Sequence, residues 1–387
     1  MKIIRIIFYS FVIAGLIACS PHHDEPGKPL TDYVDPFIGT AYTGHTHPAA
    51  SLPFSMVQVG PDTGIKGWEY CAGYRDTDTS VMGFSHTHLS GTGAAEMGDI
   101  LIMPVTGPVI FDAGTNDNPD AGYRSRFKRE NETAKPGYYK TFLDDYGILA
   151  EMTLTPRVGF HRYTFPEAGD AGVILDMAHG IGDETYESSI RVIDDTTIVG
   201  VRKSHGFVKD HAWYFAARFS KPIGETTVWK DSLILSGNHI EGEKTKMHVA
   251  FKTASNEILL IKIALSTTGE EGALKNLESE IPTWNFDRVR ENATEIWDKY
   301  LSKADIDPVN SGQKISFYTA LYHALLMPNL ITDVDGKYFG WDRQIHQSNQ
   351  GNLFTNFSLW DTYRALHPYL NLLIPGENSQ FVKSMLE

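Results

Sequence analysis

EILLIKIALSTTGEEGALKNLESEIPTWNFDRVRENATEIWDKYLS, residues 257–302, holds the change of periodicity that decides the fold. Its opening ILLIKIAL is a short, β-branched apolar run of strand length. From residue 284 onward, apolar residues instead recur three and four positions apart, the mark of a helix with one buried face. Upstream, between about 30 and 265, runs of the first kind dominate: SMVQV, ILIMPV, GYYKTFL, ILAEMTLT, GFHRYTF, AGVILDM, TTIVGVR, WYFAARF, SLILSG and KMHVAF, separated by turn residues. That spacing predicts a large antiparallel β-sandwich. Downstream, QKISFYTALYHALLM (313–327) repeats the helical period. A third helix is expected from near Trp360 through TYRALHPYLNLL, with Pro368 kinking it or ending its first part, and a fourth over 376–387. The fold class expected is mixed β and α, sandwich first and helices after. So few helices cannot close a core of their own, so the chain reads as the front half of a longer protein.

A chain of 387 residues points to two domains. The 12% aromatic content suits a sheet-rich protein with flat aromatic surface, and the formal charge of −14 argues against binding a phosphate backbone, so no nucleic-acid partner is expected. At the N-terminus, Lys2 and Arg5 precede an apolar run ending in Leu16-Ile17-Ala18-Cys19. The run is too short for a comfortable membrane span and reads as an export signal. Its last four residues resemble a lipobox, which would make Cys19 the lipidated first residue of the mature chain; a plain secretory signal cut nearby is the alternative. Residues 20–29 (SPHHDEPGKP) read as a tether. Cys71 is then the remaining thiol, so no intrachain disulfide is expected.

Three stretches could carry chemistry. GTAYTGHTHPAASLPFSMVQVGPD (39–62) sets His45 and His47 two apart, a spacing that puts two rings on one face of a strand as metal ligands, although Gly44 and Pro48 oppose a strand there. GIKGWEYCAGYRDTDTSVMGFSHTHLSGTGAAEMGDI (64–100) gathers Trp68, Tyr70 and Tyr74 with Glu69, Arg75, Asp76 and Asp78, flat faces beside hydrogen-bonding edges, as a pyranose requires. The same aromatics could instead be sandwich core. Within that stretch His86 and His88 lack a third ligand at a regular spacing, and SGTG lacks the strand-to-helix elbow of a serine nucleophile. FTNFSLWDTYRALHPYL (354–370) places Trp360 and Arg364 four apart on a helix with Asp361 beside them, a set able to stack on and clasp a sugar. Asp361 has a blander explanation as an acid at a helix N-terminus.

Taken together, DPFIG (35–39), LPFSMVQVGPD (52–62), GYRDTDTSVMGFSHTHLSGTG (73–93), PGYY (136–139), RVGFHRYTFP (157–166), FYTALYHALLMPN (317–329), DVDGKYFGWD (333–342) and FSLWDTYRALHPYL (357–370) resemble glycoside hydrolase family 92, calcium-dependent exo-acting α-mannosidases. The resemblance implies a signal at 1–19, a tether at 20–29, an N-terminal β-sandwich domain over 30–265, a helical linker over 266–308 and, over 309–387, the start of an incomplete (α/α)6 barrel. It implies hydrolysis of terminal α-linked mannose, α-1,2 above all, with inversion by an acid and a base, and calcium as cofactor. In the family those carboxyl groups and most calcium ligands follow the Trp-Asp-Thr motif at a distance, so the acid and base are expected beyond residue 387 and this chain alone is expected to be inactive. Carried over as substrate-binding positions are Trp68, Cys71, His86, His88, Trp360, Asp361 and Arg364. His47 departs from the apolar residue the family more often shows there. The partners implied are mannose-containing glycans and, through Cys19, a membrane of the cell envelope. The rival reading is a non-catalytic, glycan-binding surface lipoprotein.

Overall fold

The computed structural model describes residues 28–387; the leader with Cys19 lies outside them. Two antiparallel sheets face each other. The first has eight strands in the order Ala50–Ser51, Gln58–Asp62, Gly83–Ser85, Leu101–Val105, Ala168–Asp176, Thr245–Thr253, Thr226–Lys230, Leu233–Ser236. The second has nine: His239–Gly242, Glu184–Val192, Thr197–His205, His211–Phe219, Glu257–Ser266, Val158–Phe165, Ile148–Leu154, Tyr138–Leu143, Thr133–Lys135. The sandwich and following helices match the mixed fold class expected from the periodicity.

Strand Val158–Phe165 shows how alternation builds two layers at once. Tyr163 points inward to the core between the sheets, with Phe84, Met152 and Ile261. Val158 and Phe160 point outward, into a second cluster with Ala273 and Leu277. Those two lie on helix α1 (Glu270–Glu280), which covers the outer face of the nine-stranded sheet; helix α2 (Phe286–Leu301) follows, its first turn capped by the Asn285 side chain accepting from the Arg288 amide. The buried positions of α2, namely Phe286, Val289, Ala293, Trp297 and Leu301, recur at three and four residues. Trp297 is fully buried, and its indole N–H donates to the Ser51 carbonyl at 2.7 Å. Helix α3 (Ser311–Ala324) runs on to Leu325, whose carbonyl accepts from the Phe54 amide.

Two local expectations need correction. The helix expected from Trp360 breaks at 363–365, ahead of Pro368, leaving a single turn, α4 (Leu359–Thr362), then α5 (Leu366–Leu373) and α6 (Pro375–Leu386). Proline has no N–H to give the carbonyl four residues back; breaking early places Pro368 in the first turn of α5, where no N–H is needed. Strand Glu184–Val192 escaped the sequence reading because its inward positions include Thr185 and Ser188 beside Ile190, so apolar alternation is absent.

Candidate functional site

The loops 39–47, 62–73 and 86–93 meet at one end of the sandwich, and the short run His86-Thr87-His88 distributes three side chains to three environments. His88 is buried, its Nδ1 2.9 Å from the Gln58 carbonyl and its Nε2 2.8 Å from Asp62 Oδ1. The second Asp62 oxygen lies 2.8 Å from His179 Nε2. Burial pushes the Asp62 carboxyl up, but the two imidazoles outweigh it and hold it well below the usual carboxylate range. Thr87 donates its hydroxyl to Asp99, itself bound with Asp183 to the buried Arg202 guanidinium. Burial opposes the Asp99 charge and Arg202 restores it, so that carboxyl also stays below its ordinary range.

His86 turns the opposite way, across the gap between the sheets. Its Nδ1–H donates to the Ile100 carbonyl at 2.7 Å, so in the neutral ring Nε2 accepts from His161 Nε2–H at 2.9 Å, and His161 Nδ1 accepts from the Tyr163 hydroxyl. Burial lowers the His86 ring to about 4 and His161 well below its usual value, consistent with two neutral imidazoles in line. Gly159 makes room for them: a Cβ there would come within 2.9 Å of His86 Cδ2. His86 is therefore an interior hydrogen-bonding residue, completely buried among protein partners. Cys71 is likewise buried and gives its thiol to the Trp68 carbonyl at 3.2 Å, securing the turn beneath that residue.

Trp68 is the exposed member, with 60% of its surface open. Its ring meets His45 edge-on at 5.0 Å and lies over Gly93, where a Cβ would come within 2.4 Å of the indole. His45 holds a left-handed φ of 53°, rare for a residue with a side chain. Next to it His47 is 1% exposed, its ring 5.1 Å from that of His88. Among the described residues neither His45 Nε2 nor His47 Nδ1 has a hydrogen-bond partner, and buried polar atoms are seldom left so. Burial, followed by the nearby His88 and by His323 on α3, holds the His47 ring well below its usual value. His323 thus brings the helical part to the same end of the sandwich.

The helical candidates stand apart. Trp360 is 76% exposed; Asp361 accepts from the Ser358 hydroxyl at 2.6 Å; Arg364 donates to the Tyr363 hydroxyl at 3.1 Å. Among the described residues no hydrogen bond, ion pair or ring contact joins them to the Trp68 group. Nor do three or more His, Cys, Asp or Glu side chains come together as metal ligands there, and the paired-histidine metal readings find no third donor. Asp62, His179, Arg202 and His323 were not singled out from sequence; the available signal was a titratable residue closing a buried run, as in SMVQVGPD.

Residues 33–266 match the glycosyl hydrolase family 92 N-terminal domain and residues 272–387 the glycosyl hydrolase family 92 catalytic domain. The chain belongs to glycosyl hydrolase family 92. Among similar solved structures is a family GH92 alpha-mannosidase of Bacteroides thetaiotaomicron, 37% identical, with a TM-score of 0.90 over 93% of this chain and 49% of its own. The same relative is also known in complex with mannoimidazole. A GH92 inverting mannosidase of that organism is 26% identical, with a TM-score of 0.82 over 94% of this chain and 49% of its own. An uncharacterized secreted glycosidase of Arthroderma benhamiae is 28% identical over 372 residues, 86% of this chain and 45% of its own. The chain thus spans about half the length of these relatives.

Proposed function

We propose that this chain supplies the sandwich share of the sugar pocket of an exported exo-α-mannosidase that removes terminal α-linked mannose, α-1,2-linked above all, with inversion. The observation that carries the reading is the open Trp68 face, held from behind by the buried His45 ring. A pyranose offers a C–H face that can stack on this indole, while the buried imidazoles hold the loop that presents it. The work of His88, Asp62 and His179 would be positioning: a carboxylate fixed from both sides keeps the His88 ring still behind His47.

Inversion needs two carboxyl groups roughly 6.5–9.5 Å apart, one to protonate the leaving oxygen and one to activate water. Asp62, Asp99 and Asp183 are each committed to a buried cation or imidazole, so neither role is assigned to a residue of this chain. Among the described residues no three His, Cys, Asp or Glu side chains gather as metal ligands. Calcium dependence enters the proposal only through the family resemblance, and no step is derived through it. Lipidation at Cys19 and residence in the cell envelope belong to the same proposal, supported by the leader's residue pattern; the secreted relative supports export. Among the described residues no helix is long and apolar enough to cross a membrane.

The test is mannose release from α-1,2-mannobiose by the 387-residue chain alone and by the chain joined to the coding sequence downstream of codon 387, each with and without chelator. Release by the extended protein only, lost on chelation, is expected. Release by the 387-residue chain would overturn the division of labour. Disaccharide binding without release by either protein would favour the glycan-binding lipoprotein.

A further inference from the structure

On the outer face of the nine-stranded sheet lies a cleft of about 480 Å³ that the proposed pocket does not use. Its floor is Leu260 and Ile258, paired in register with Arg162 and Thr164 on the neighbouring strand. One wall is the connection between α1 and α2, which brings Trp284 and Phe286 over the strand ends. Its place is set by chain geometry: His161 and Arg162 are successive residues of one strand, so the first faces the inter-sheet core and the second the cleft. The sheet separates the two regions.

The chemistry of the lining narrows what it can hold. Trp284 keeps 37% of its surface exposed and Ile258 keeps 50%, which gives an apolar floor and an aromatic wall. The cations around them are already engaged. The Arg162 guanidinium donates to both Glu151 oxygens at 2.8 Å and to Asp287 at 2.9 Å while stacking on Phe286. The Lys262 ammonium sits 3.9 Å from the centre of the Trp284 ring and donates to the Ile281 carbonyl. With Arg162 held between two carboxylates and the Lys262 ammonium covered by the Trp284 ring, an anion gains little there. The second carboxylate oxygen of Asp287 and the Asn285 amide nitrogen, both without a protein partner among the described residues, rim the apolar floor with an acceptor and a donor. The volume falls within the range of roughly 300–1,000 Å³ usual for small-molecule sites.

We propose that this cleft is a second, non-catalytic binding site for a neutral pyranose unit of an oligosaccharide. The C–H face of the sugar lies against Trp284 and Leu260, and its hydroxyls reach Asp287 and Asn285. The site does not depend on the mannosidase reading; alongside it, a second foothold would hold a branched glycan near the sandwich end by raising its local concentration.

The test is saturation-transfer NMR on the full 387-residue chain with α-1,2-mannobiose, α-1,6-mannobiose and cellobiose, and with glucose 6-phosphate as the charged comparison. In the Trp68→Ala protein, which lacks the proposed pocket's aromatic face, at least one neutral disaccharide should still receive saturation. Adding Trp284→Ala should weaken that binding roughly 5- to 10-fold, the order expected for one lost aromatic contact. Because Trp284 also packs on Lys262, Ile258→Arg serves as the second variant: it places a cation on the half-exposed floor and should abolish the signal at unchanged Tm. Binding untouched by both substitutions, absence of any neutral-sugar signal in Trp68→Ala, or preference for glucose 6-phosphate would overturn the proposal. None of these outcomes depends on whether the extended protein releases mannose.

Discussion

Single residues divide here between those that hold the site and those that present it. Trp68 presents: Trp68→Ala should lower sugar affinity by about 0.5–1.5 kcal/mol while leaving Tm nearly unchanged, since the ring is mostly in solvent; calorimetric titration with mannose beside a melting curve checks both. Gly159 holds: Gly159→Ala should cost about 1–3 kcal/mol, because the new Cβ presses on a His86 ring that has no exit from the core. A denaturation midpoint equal to that of the parent would contradict the packing described. The buried imidazoles also set a pH response. Burial lowers His86, His248 and His323 to about 4, and His47 and His161 well below their usual value. The unfolded chain, with histidines near 6.5, then takes up protons first as the pH falls. Their contribution is complete above about 6.5 and drains away toward 4. Glu96 and Glu132, raised to about 7 by burial, act in the opposite sense: the folded state binds their protons more tightly, adding stability as the pH drops from 7 toward 4.5. Five histidines against two glutamates leave a net loss, so Tm should decline on acidification from pH 6.5 to 5. A Tm that holds level across that interval goes against this account.

Elements show where the sequence was readable and where it was not. Strands such as Glu257–Ser266 and helix α2 announced themselves because one side chain in two, or one face in 3.6, must leave water, and residue type follows that demand. Glu184–Val192 did not, because its inward Thr185 and Ser188 are satisfied by hydrogen bonds, Ser188 to the Gly242 and Glu243 carbonyls and to Thr245. The exposure of Trp68 was legible in its setting among polar loop residues. The opposite directions of His86 and His88 were not legible, because a two-residue spacing says nothing about whether the intervening backbone turns each ring toward the same place. Asp62 and His179 are more than a hundred residues apart and meet only through sheet pairing, a contact no local pattern encodes. At this scale Trp297 is the decisive anchor of α2. Trp297→Ala should cost about 3–5 kcal/mol, from the emptied volume and from the Ser51 carbonyl left without its donor, read as a shift in urea midpoint at constant m.

In the whole molecule, a few long-range ties bind sandwich to helices. Arg157, at the turn before strand Val158–Phe165, donates to Glu280 at the end of α1, to the Thr332 carbonyl and to Asn352. Its side chain and that of Glu280 are 8% and 10% exposed, so Arg157→Ala strands a buried carboxylate and should cost about 3–5 kcal/mol. Limited proteolysis should then cut between residues 332 and 352 before the sandwich is touched. The strand that Arg157 introduces carries a wider consequence. Phe160 anchors the helical layer and Arg162 edges the cleft on the outer face, while His161 between them completes the imidazole line on the inner face: three duties on three successive residues, sorted to two faces by the pleat. Substitutions can therefore adjust each duty separately, whereas one inserted or deleted residue would exchange them all. In a library of variants this segment should accept many conservative replacements and almost no change of length, so that its divergence among descendants proceeds by spelling and not by spacing.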